Sequence, residues 1–100
     1  MSPADAAGSQ RIDKWLWCAR FVKTRALAAG LVRAGHVRRD GKRLAGPDKP
    51  VRPGDILTVA LARTVLVVRV RAVADRRGPA SEAQLMYEPV EPPAPDQAPP

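Results

Sequence analysis

The apolar positions follow a helical period first and an alternating one later. Ile12, Leu16 and Ala19 recur at four and three residues, which marks one face of an α-helix. Ser9 and Asp13 are both candidate caps for its start. Trp15 and Trp17 stand about 200° apart around that helix, so only one of them can be fully buried. Thr24 then precedes a second helical run, Ala28, Leu31 and Val32, and Gly35 suits the left-handed position just past its end. Gly30 inside this run costs ~1 kcal/mol relative to alanine unless close packing on the first helix repays it. The short gap at residues 22–24 makes the two helices an antiparallel pair.

Beyond Gly35 the period shortens. Residues 36–39 read as a strand, Asp40-Gly41 as a hairpin turn with positive φ at both positions, and residues 42–44 as the returning strand. Gly46, Pro47 and Pro50 mark residues 45–51 as a loop, and Pro53-Gly54 as a turn. Residues 56–61 and 65–73 form a hairpin in which Val68, Val70 and Ala72 alternate with Arg69 and Arg71. Pro79 opens a short helix through residues 81–87, and Pro89 closes it. The expected fold class is therefore α+β: two antiparallel N-terminal helices packed on a small, mostly antiparallel sheet of about four to five strands, with a short C-terminal helix. Residues 1–8 read as a disordered lead-in, 9–88 as the folded domain, and 89–100, with six prolines, as a disordered acidic tail.

Charge adds a function class to this fold. The net charge of +7 is unevenly spread: residues 11–43 hold ten basic and two acidic side chains, while residues 78–100 hold four acidic and no basic ones. Such a cluster repels itself, and a polyanion that neutralises it gains counterion release on binding. Three groups stand out. Arg11 and Lys14 lie on the first helix, Lys23 and Arg25 flank the cap at Thr24, and Arg38, Arg39, Lys42 and Arg43 surround the hairpin turn. Packing the helix pair against the hairpin gathers them around one groove, with the first N–H groups of the second helix beside it. Arg20 and Arg33 join the candidate set by local charge. Aromatic residues make up only 4% of the chain, which disfavours a platform for stacked single strands and points to phosphates and the shape of folded RNA.

Other chemistries lack their residues. One cysteine, Cys18, and one histidine, His36, give no metal-ligand spacing, no internal disulfide and no built nucleophile site. No phosphate-cradling glycine loop and no apolar run near 20 residues occurs. Asp40, Asp48 and Asp55 stand at turns, where Asp bonds its own backbone. The reading is thus a non-catalytic, cytoplasmic protein without cofactor or metal and without a membrane partner, expected as a monomer.

The stretch Arg11-Ile12-Asp13-Lys14-Trp15-Leu16-Trp17, with Lys23-Thr24-Arg25-Ala26, Gly35-His36-Val37, Asp40-Gly41-Lys42 and Val51-Arg52-Pro53-Gly54-Asp55, resembles the RNA-binding domain first seen in small-subunit ribosomal protein S-four. The tryptophan pair and Arg77-Gly78-Pro79-Ala80-Ser81-Glu82-Ala83 are similar to its fifteen-kilodalton heat-shock protein branch. The resemblance covers about residues 11–88. It implies that Arg11, Lys14, Lys23, Thr24, Arg25, Arg38 and Lys42 face RNA. It also implies a partner in ribosomal RNA or tRNA on the large ribosomal subunit, with a role at stalled subunits that still hold a nascent chain on tRNA. Arg20, Arg33, Arg39 and Arg43 come from local charge alone. Two departures from the family pattern are Asp40, where Asn is common, and an acidic, proline-rich end in place of a basic extension. The rival readings are the RNA-binding module of an RNA-modifying enzyme of the pseudouridine synthase kind, and a DNA-binding module.

Overall fold

The computed structural model of the chain describes residues 8–90. The expected disordered segments lie outside these residues except at their inner margins. The elements run β1 (Gln10–Arg11), α1 (Ile12–Cys18), α2 (Arg25–Arg33), β2 (Val37–Arg39), β3 (Lys42–Arg43), β4 (Pro50–Val51), β5 (Ile56–Ala60), β6 (Val65–Val70), α3 (Ala80–Ala83), a single 3₁₀ turn (Gln84–Met86) and β7 (Tyr87–Pro89). Five strands form one antiparallel sheet in the order β3-β2-β5-β6-β7, and β1 pairs with β4 separately. The α+β class and its antiparallel sheet are as the sequence predicts.

The core lies between the helix pair and one face of that sheet. Ile12, Trp15, Leu16 and Val32 meet Val37, Leu57, Val59, Val68 and Val70, all fully or almost fully buried. Trp15 is the buried member of the tryptophan pair, and Trp17 is half-buried. The indole N–H of Trp15 donates to the Ala72 carbonyl at 2.9 Å, and its ring meets Phe21 and Tyr87 at centroid distances of 5.7 and 6.4 Å. The long indole therefore ties α1 to the far end of the sheet while satisfying its one polar atom.

The local backbone signals of the sequence hold in the fold. Thr24 is extended and its hydroxyl accepts the Leu27 N–H at 3.1 Å, so it caps α2. Asp40 and Gly41 both take positive φ, 51° and 83°, in the β2–β3 turn. Asp40 Oδ1 also accepts the Ile56 N–H, and Asp55 Oδ2 the Arg52 N–H, so both carboxylates brace turns.

Other elements differ from expectation, each for a long-range reason. The first helix starts at Ile12, capped by neither Ser9 nor Asp13. Its first N–H groups go instead to the loop that follows the hairpin: Ile12 donates to Lys49 and Asp13 to Pro47. The same loop supplies β4, which holds Gln10 opposite Val51 and Arg11 opposite Pro50. At the other end, β6 stops at Val70; the second turn of the expected helix tightens to the 3₁₀ turn Gln84–Met86, and Tyr87 leaves it to start β7. Arg71 donates to the Met86 carbonyl and Val90 to the Val67 carbonyl. The chain thus stays in the sheet two residues beyond the boundary at 88. By the two-residue strand period, the backbone groups of Tyr87 and Pro89 face away from β6.

Gly30 is not packed on α1. A Cβ built there meets nothing within 4 Å. Gly30→Ala should therefore stabilise the fold by ~1 kcal/mol, with a rise in melting temperature of about 4–8 °C in calorimetry.

Cys18 is fully buried and its thiol lies 3.8 Å from the Ala74 carbonyl. Burial pushes its pKa up, against the pull of Lys14, Arg25 and Arg77. Alkylation by iodoacetamide at neutral pH should proceed only on unfolding. Since the raised pKa belongs to the folded state, its effect on stability is absent below the ordinary thiol value of ~8.5 and becomes a loss as pH rises above it. A urea midpoint that falls above that pH in the native chain, but not in Cys18→Ala, checks the sign.

Candidate nucleic-acid interface

The helix starts and the hairpin bring their cations onto one continuous surface. Arg11, Lys14 and Arg25 line a concavity with Ser9, Gln10 and Asp75. Two of these arginines are paired with buried Asp13, which accepts from Arg11 (Nε 3.2 Å, Nη2 3.1 Å) and from Arg25 (Nη2 3.5 Å). The hairpin supplies the other half, a hollow in which Arg39, Lys42, Arg43 and Lys49 surround the Asp40 of the turn. Arg39 donates to the Pro50 carbonyl and shares the adjoining hollow with Arg52.

The β1–β4 ladder joins the two halves. Pro50, reached by Arg39 on one side, is the register partner of Arg11 on the other. The basic surface therefore runs from Arg25 over Arg11, across Pro50, to the hairpin. The arrangement suits a string of phosphates, since both halves set forked guanidinium donors beside compact ammonium charges. Thr24 lies at its α2 margin with its hydroxyl engaged as the cap, and Lys23 is exposed beside it.

Not every candidate joins this surface. Arg20 sits at the far end of α1 with φ 66°, and its Nε donates to the Gly78 carbonyl at 2.9 Å. Arg77 answers from the other side, donating to the carbonyls of Trp17 (3.0 Å) and Val22 (3.4 Å), with its guanidinium 5.8 Å from the Trp17 ring centroid. These two arginines clasp the 75–78 loop to the turn after α1. Arg33 and Arg38 instead adjoin the hairpin end through Arg43, whose Nη2 donates to the Arg33 carbonyl at 3.0 Å and which is the register partner of Arg38. Conversely, Lys49, Arg52 and Asp13 belong to the surface although sequence reasoning did not place them there. Lys49 and Arg52 flank prolines in an apparent loop, and only the pairing of β4 with β1 shows where that loop lies.

Among the described residues no group of three or more His, Cys, Asp or Glu side chains is placed to hold a metal ion, and no helix is long and apolar enough to cross a membrane.

The fold and this surface define a class. Residues 10–57, from β1 through the start of β5, match the model of the S4 domain. Heat shock protein 15 of Escherichia coli strain K12 is 46% identical over 78 residues, covering 78% of this chain and 58% of that protein. Its homolog in Aeromonas salmonicida is 41% identical over 90 residues, covering 90% of this chain and 67% of that protein. A solved structure, the trimeric heat shock protein 15 of Vibrio cholerae, superposes with a TM-score of 0.77 at 39% identity over 82% of each chain. The chain belongs to the heat shock protein 15 family of S4-domain proteins. It spans 58% of the length of the Escherichia coli relative. A more distant relative, the RQC P-site tRNA stabilizing factor of Bacillus subtilis, is 34% identical over 65 residues, 65% of this chain and 74% of that protein. The monomer expected from sequence has no support in these relatives, one of which is solved as a trimer.

Proposed function

We propose that the chain is a non-catalytic RNA-binding module that holds structured ribosomal RNA in the cytoplasm. Its site is the large ribosomal subunit, where it acts in the rescue of stalled subunits that carry a nascent chain on tRNA. The observation that carries this reading is the pair of basic hollows, Arg11, Lys14 and Arg25 in one and Arg39, Lys42, Arg43 and Lys49 in the other, which the β1–β4 ladder joins on the part of the chain that matches the S4 domain. A relative named for stabilising tRNA at the P-site supports the tRNA side of the role. Phosphates give the affinity, and the shape of the folded RNA gives the choice of site.

Sedimentation of the chain with separated ribosomal subunits tests the target: co-migration with the large subunit is expected, and co-migration with neither overturns the reading. Titration of ribosomal RNA across salt tests the physics. About five phosphate contacts give a slope of log affinity on log salt of roughly −3 to −4, and a flat dependence counts against the surface. Stronger competition by duplex DNA than by structured RNA at one salt concentration would move the assignment to a DNA-binding module.

A further inference from the structure

Two cations of the basic surface are paired with one buried acid. Asp13 is 5% exposed, inside a region whose charge would attract a polyanion. It is fixed on both sides, since its backbone N–H donates to the Pro47 carbonyl at 3.2 Å and its Oδ1 accepts the Lys14 N–H at 2.7 Å. A carboxylate so held cannot follow its partners, so its partners must come to it. Arg11 meets it with two donors, while Arg25 uses one. Both arginine side chains stay open to solvent, 52% and 43% exposed. A guanidinium has five N–H donors, so each retains donors for a second acceptor.

Charge alone makes Asp13 a liability, because it cancels part of the attraction. Preorganisation makes it an asset. A long side chain already held in one geometry loses less freedom when it binds, and two held together recognise a spacing as well as a charge. We propose that Asp13 is a positioning residue that sets Arg11 and Arg25 as a fixed pair of guanidinium groups for two neighbouring phosphates of a folded RNA chain. The proposal rests on the RNA-binding reading above and adds how that surface distinguishes a folded chain from a loose one.

The two views of Asp13 predict opposite signs. The test uses the full chain and two probes at one salt concentration, a large-subunit ribosomal RNA transcript and poly(U). Asp13→Asn keeps the shape, removes the charge and loosens both arginines. It should weaken binding of the transcript about tenfold while leaving poly(U) binding equal or tighter, so that the preference between the probes falls. Equal or tighter binding of the transcript, with the preference kept, overturns the proposal and leaves the RNA-binding reading standing. A fold defect would lower both affinities together. The variant Arg11→Lys/Arg25→Lys, with Asp13 intact, covers that case: it conserves charge but not the fork, and should also lose about tenfold in preference. An unchanged preference in that variant overturns the proposal. Adding Asp13→Asn to the two lysines should cost little more, and a fully additive loss would show that Asp13 acts elsewhere. A wild-type chain that binds neither probe sinks the RNA-binding reading itself, a result distinct from all of these.

Discussion

Trp15→Ala should remove ~3–5 kcal/mol of stability, the range for emptying a large buried aromatic site. The residue is fully buried, and its indole reaches from α1 to the Ala72 carbonyl and the Tyr87 ring. Phe21 and Tyr87 lean on each other at 4.8 Å as well as on Trp15, so neither ring is free to fill the vacated space. Domains of this size have only about 5–15 kcal/mol in total. The variant should therefore melt at least ~12 °C lower, at about 4–8 °C per kcal/mol. Trp15→Phe separates two contributions. It keeps an aromatic ring but leaves the Ala72 carbonyl without the indole donor, a loss of about 1–3 kcal/mol. Trp17→Ala, at a half-buried position two residues on, should cost less than either. Thermal denaturation of the three variants checks the order, and a Trp15→Ala chain as stable as Trp17→Ala would refute the core assignment.

Lys42→Glu/Lys49→Glu should lower affinity for ribosomal RNA by on the order of a hundredfold at physiological salt while leaving the fold intact. Both side chains are exposed and line the same hollow beside the β2–β3 turn. Removing two phosphate contacts should also flatten the slope of log affinity on log salt by ~1.5–2, in step with the loss. Lys49 is the informative partner. It adjoins Pro50, which pairs with Arg11, so an effect of Lys49→Glu alone would show that the β1–β4 ladder lies within the contact surface. Full affinity in the double variant, measured against circular dichroism unchanged from wild type, would place the RNA elsewhere.

Signals written into the local backbone were readable in advance. Thr24 as a cap, Gly35 (φ 82°) past the helix end and the Asp40-Gly41 turn each depend on residues a few positions apart. That only one of Trp15 and Trp17 is fully buried followed from their angle around α1; that it is Trp15 needed the fold. What escaped were the features that need distant partners. Gln10 and Arg11 form a strand only because residues 50 and 51, forty positions later, lie alongside them. Tyr87 looks like the end of a helix and Pro89 like a stop, until β6 offers an open edge that both join. The same limit applies to the site. Its cations were evident from charge density, but Arg20 left the group because a left-handed backbone turns its side chain to the 75–78 loop. Lys49 entered the group because of β4.

The outer rim of β7 has a consequence for assembly. Pro89 faces outward there and has no N–H to offer, and the strand is three residues long. A neighbouring chain cannot register against that rim with a full ladder of backbone bonds, so open-ended stacking of sheets from molecule to molecule is blocked on this side. Copies that meet at this rim must do so without extending the sheet across it.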